Sequence, residues 1–120
     1  MPKGTPRATD LLEVVREFIE RDLLPAASGD LRFQCRVAIN VLGIVMREIE
    51  LGPTQQEAER QRLVRLLGHA GSIDELNREL TRRIREGTTG ADTPGLLEHL
   101  HTTSAEALKI DNPKYLERAD

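Results

Sequence analysis

The sequence predicts an all-α fold: a five-helix bundle built around a buried second helix at about residues 31–51. Three observations carry this. The run LRFQCRVAINVLGIVMREIEL at 31–51 is apolar over most of a helical wheel, as expected of a helix surrounded by others. Every other apolar stretch recurs at three- and four-residue spacing, with no two-residue alternation typical of strands. Helix-start and helix-stop residues divide the chain into five segments of ordinary helical length.

Taken in order, residues 1–8 hold two prolines and a glycine without periodicity, and read as a flexible arm ahead of a single helical domain at 9–120. Thr9 or Asp10 caps a first helix whose apolar face holds Leu11, Leu12, Val15, Phe18 and Ile19, and Pro25 stops it. Asp30 is the expected cap of the central helix, and Gly52-Pro53 its expected end. Thr54 to Glu57 has capping-box spacing and opens a third helix to about Leu67, polar in its first turns and apolar only at Leu63, Val64, Leu66 and Leu67. Ser72 to Glu75 is a second such box. It starts a fourth helix, 73–86, with a narrow stripe of Ile73, Leu76, Leu80 and Ile84 closed by Gly87. Thr93 caps the fifth helix with Pro94 at its first position, and Asn112, held out of helical geometry by Pro113, ends it. Tyr115, one of few aromatics, is expected to fold back as a terminal clasp.

Composition excludes several classes. A net charge of −3 and 2% aromatic residues argue against a nucleic-acid binder, which needs a basic face or stacking surfaces. A single cysteine, Cys35, excludes an internal disulfide and a thiolate zinc site. Arg36, Asn40 and Arg47 interrupt the central run, so no membrane insertion is expected of it. The N-terminus lacks the apolar core of a signal peptide, which makes the cytoplasm the expected location.

Three constellations are candidate sites. Arg36, Asn40, Gly43 and Arg47 share one narrow face of the central helix. They are a solvent window, an interface with another chain, or the wall of a pocket for an anionic ligand. Arg78, Arg82, Arg83 and Arg85, with Arg60, Arg62 and Arg65 on the preceding helix, have the bidentate forks that bind phosphate. Interleaved glutamates such as Glu75 and Glu79 make a self-paired surface the competing reading. Glu98 and His101 have the E-x-x-H spacing of di-iron bundles, but the required second copy is missing, so no metal and no cofactor are expected. No nucleophile–base set is evident, and Cys35 reads as a small hydrophobe.

Three stretches carry a resemblance: LLEVVREFIERDLLP at 11–25, RVAINVLGIVMREIELGP at 36–53 and ALKIDNPKY at 107–115. In them the chain resembles a bacterial family of small helical proteins grouped as a domain of unknown function, DUF6285. The likeness spans nearly all of the chain after the arm. It rests on packing and turn motifs and offers no catalytic residue to carry over. It implies genes set beside aminoglycoside-phosphotransferase-like kinases and acyl-CoA dehydrogenases. From that follows an implied role in acyl-CoA or related lipid catabolism, or in support of the kinase-like protein. The expectation is a non-catalytic accessory protein that binds a protein partner or forms a homodimer. The alternative is a module binding an acyl-CoA or another small anionic metabolite.

Overall fold

A computed structural model describes residues 7–119, and side chains as far as Leu116. Of the described residues 81% are helical, and they contain five α-helices and no strand. They are α1 (Ala8–Phe18), α2 (Gly29–Leu67), α3 (Ile73–Glu86), α4 (Leu96–Asp111) and α5 (Pro113–Ala119). The all-α expectation holds, with a different partition. Most of the expected arm, residues 1–6, lies outside the described residues. Its last two positions already belong to the start of α1, because the Arg7 backbone N–H donates to the Asp10 carboxylate at 3.0 Å. Asp10 therefore serves the third helical position rather than the cap.

The expected break at Gly52-Pro53 is absent, and one helix runs through it. Proline removes one N–H from the ladder and crowds the carbonyl four residues back, at a cost of roughly 3 kcal/mol. A third obstacle, the clash of the proline ring with the Cβ of the residue before it, does not arise because that residue is Gly52. The strong helix formers of QQEAERQRLVRLL then carry the helix on. No covering helix starts at Thr54, and the fifth helix is instead the short α5. Asn112, with φ −157° and ψ 73°, separates α5 from α4.

The chain forms two compact units, residues 1–50 and 51–120. In the first, α1 ends in one widened turn at Ile19–Leu23, where the Leu24 N–H reaches the Ile19 carbonyl five residues back. Arg32 then reaches back to the Leu24 carbonyl at 2.8 Å, tying the start of α2 to the end of that turn. The central stretch is not buried, contrary to its wheel. Phe33 is 63% exposed and Val41 48%, and among the described residues of this unit only Cys35, Gly43 and, on α1, Thr9 are buried. Residues 54–67, expected as a separate third helix, continue α2 instead, and within this unit α1 meets the run where Arg16 lies beside Gly43.

The second unit has a closed core. Leu63 (0% exposed), Leu67, Leu76, Leu80 and Leu96 form one cluster, with Val64 and Ile73 packed against it. Leu63 and Leu67 come from α2, Leu76 and Leu80 from α3, and Leu96 from α4. The boundaries of α3 fall where the sequence sets them. The Ser72 hydroxyl accepts from the Glu75 N–H at 3.2 Å, and Gly87 closes the helix at φ 79°, a conformation that suits glycine. Thr93 does not cap α4. Its hydroxyl is spent on the Gly90 N–H at 2.9 Å, and Gly95, at φ 87°, takes the cap position. Tyr115 is 54% exposed and no clasp. Among the described residues no helix is long and apolar enough to cross a membrane.

Candidate functional site

The polar face of the first unit is only partly drawn together. Arg36 and Asn40 are exposed. Gly43 is buried, and a Cβ added there would lie 3.2 Å from Arg47 Nη1 and 3.7 Å from Arg16 Nη1. The missing side chain thus makes room for two guanidinium groups, one from each helix. Arg16 is held by an ion pair with Glu13. This end of the stripe is a packing device between α1 and α2, a role the wheel did not reveal because Arg16 comes from the other helix.

The arginines of α3 divide. Arg83 pairs with Glu79 at 2.6 Å, and Glu79 also meets His69 Nε2 at 2.8 Å. Arg78, Arg82 and Arg85, at i, i+4 and i+7, line one open groove with Asn77 and Thr81. Glu98 and His101 do not converge. His101 is exposed, Glu98 stands beside His99 at the mouth of a recess, and no three metal-ligating side chains cluster among the described residues.

The most developed site is one the sequence reading missed. Along α4, Leu96, His99, Thr103, Glu106 and Ile110 follow three- and four-residue steps, which place them on one face turned to the interior. The ends of this stripe are apolar and its centre is polar. Opposite the centre stands Arg62 of α2, 15% exposed at its side chain. Its Nε donates to His99 Nδ1 at 3.0 Å, and its Nη2 donates to Thr103 Oγ1 at 3.1 Å and Glu106 Oε1 at 2.9 Å. Two turns earlier on α2, Gln55 Nε2 donates to the Glu106 carbonyl at 3.1 Å. The signal was available: three polar residues inside a core stripe require a partner of matching chemistry on the facing helix.

Next to this network lies a recess of about 290 Å³, lined by Arg62, Arg65, Leu66, Pro94–Gly95, Glu98 and His99. His99 is 3% exposed. Burial, and secondarily the Arg62 charge, push its pKa below the ordinary imidazole value of 6.5, against weaker opposing pulls from Glu59 and Glu106. The imidazole is therefore neutral at pH 7, and accepting at Nδ1 puts its proton on Nε2.

His69 is shifted the other way, first by the Ala70 carbonyl and then by Glu79. The two histidines give opposite linkages. His99 has a lowered folded pKa, so its contribution is complete above the unfolded value and is lost as pH falls through the folded one. His69 contributes below the unfolded value and loses that contribution as pH rises through its folded pKa. Removing His69 should expose the first effect alone. The His69→Gln variant is expected to lose thermal stability steadily between about pH 7.5 and 5.5, and His69→Gln/His99→Gln to be nearly flat there. Melting curves across that range check both.

A family model described as a domain of unknown function, DUF6285, matches residues 25–115 of the chain, and the chain belongs to that family. None of the curated proteins matches, and neither does any solved structure.

Proposed function

We propose that this family member is an accessory protein whose work is binding rather than catalysis, and that its first partner is a second copy of itself. One observation carries the reading: the apolar surface left open by residues 8–50. On α1, Leu11, Val14 and Phe18 are exposed, and on α2 so are Phe33, Val37, Val41, Val45 and Ile49. The α2 residues recur every four positions and form the kind of ridge that packs into the groove of a like helix. So many exposed large apolar side chains on two neighbouring helices favour an association surface.

A second copy is the favoured occupant because both helices of the hairpin present apolar residues. A two-fold axis would set two helices against two, which is the arrangement of a four-helix bundle. The exposed Arg36 and Asn40 would then sit at or near the rim, in keeping with the interface reading of that stripe.

Size-exclusion chromatography with light scattering tests this. The wild type is expected as a dimer. Val41→Glu, at a position exposed in the single chain, should leave the helical content unchanged. It should weaken association more than about a hundredfold, because it buries an unpaired carboxylate in each copy. A wild-type monomer at high concentration, with no co-purifying protein, sinks the proposal.

A further inference from the structure

We propose that the recess beside Arg62 binds the carboxylate of a small, singly charged organic acid. The site lies wholly within residues 51–120 and is independent of the self-association proposed for residues 8–50.

Three donors converge on the recess. The first is His99. Its Nδ1 is occupied by the Arg62 Nε–H, so its remaining proton is on Nε2. No described residue accepts from Nε2, although the side chain is almost wholly buried. No buried side-chain nitrogen or oxygen among the described residues is left without a partner, so Nε2 opens onto free space, and the recess is the space that His99 lines. A donor at the wall of a recess, on a ring otherwise almost wholly buried and with no acceptor in the protein, is available to a ligand atom. The second is Arg65, one turn beyond Arg62, exposed and without an ion pair among the described residues. The third is the start of α4. Gly95 has no side chain to cap it; the Leu96 N–H is taken by the Thr93 carbonyl, and the N–H groups of Leu97 and Glu98 have no side-chain cap.

The charges choose among anions. Arg62 is already neutralised by Glu106, and Glu98 at the rim offsets Arg65. The recess is thus rich in donors but close to zero in net charge. A phosphate dianion or a polyphosphate would add two or more negative charges to a site near neutrality and beside Glu98, at least twice what a carboxylate adds. A carboxylate brings one charge and two acceptor oxygens, which fit the Arg65 fork and the His99 Nε2–H. Leu66 and Pro94 give its hydrocarbon part an apolar wall.

The test is an NMR titration of the full-length ¹⁵N-labelled protein with sodium hexanoate, with hexanol and inorganic phosphate as comparators at matched ionic strength. Hexanoate is expected to cause saturable shifts in the amides of Gly95 to His99 and in the His99 ring, and hexanol none. Arg65→Ala, a surface substitution that leaves the fold intact, should weaken hexanoate about tenfold. Absence of saturable shifts overturns the site, as does an unchanged affinity in Arg65→Ala. An equal response to hexanol, or tighter binding of phosphate, overturns the carboxylate assignment.

Discussion

Replacing Arg62 with methionine is expected to destabilise the second unit by about 3 kcal/mol, the loss usual when one member of a buried charged network is removed. The loss is large because three acceptors share one guanidinium. Without it, Glu106 keeps a charge that is four-fifths shielded from water, and His99 Nδ1 and Thr103 Oγ1 lose their donor. The companion substitution discriminates network from packing. Arg62→Met/Glu106→Leu removes the stranded carboxylate together with its partner, and should recover about half or more of the loss. Urea denaturation of Arg62→Met, Glu106→Leu and the double variant measures this. Additive losses would show that the residues do not act as a unit.

Truncating Leu63 should cost a similar amount for an unrelated reason. Leu63 is wholly buried at the centre of the cluster with Leu67, Leu76, Leu80 and Leu96. Leu63→Ala deletes its apolar contacts and leaves a cavity between helices that can close only in part, for a loss of about 3 kcal/mol. Ile84→Ala is the control. Ile84 lies on the same sequence stripe as Leu76 and Leu80 but is largely exposed, and its truncation should cost less than about 1 kcal/mol. Equal losses at Leu63 and Ile84 would place the core elsewhere.

The pair of Leu80 and Ile84 shows what sequence periodicity can reveal. It found the face of α3 and both ends of that helix, since Ser72 and Gly87 do there what their chemistry requires. It could not say where along the stripe the cover ends. The same limit governs the central run at 31–51. A wheel that is apolar nearly all round states a demand for cover without stating that the cover lies in the same chain. The fused α2 was hidden for a different reason. Gly52-Pro53 and the TQQE box are strong local stop and start signals. They lost to the helix-forming residues beyond them, and the step is softened because glycine, not a bulkier residue, precedes the proline.

The candidate site was half legible. Arg62, Arg65 and Glu98 all stood among the residues that the sequence singled out, but in the wrong groups. Arg62 and Arg65 were counted with a surface of arginines, and Glu98 was paired with His101. Reading E-x-x-H as a ligand motif drew attention to His101 and away from His99, which lies between them and faces inward. The burial of three polar residues on α4 depends on what stands opposite, which one helix's spacing does not record.

The polar centre of α4 also fixes the register of its contact with α2. Leucine against leucine is a forgiving interface, and a helix that slides by one turn, about 5.4 Å, exchanges one leucine contact for another at little cost. Here such a slip would take Glu106 and His99 away from Arg62 and set Ala58 on one side or Leu66 on the other in its place. Each neighbouring alignment then carries stranded polar groups that the native one does not. The network adds little to the depth of the native minimum compared with an all-apolar seam, but it raises its competitors, so one alignment of the two helices is populated.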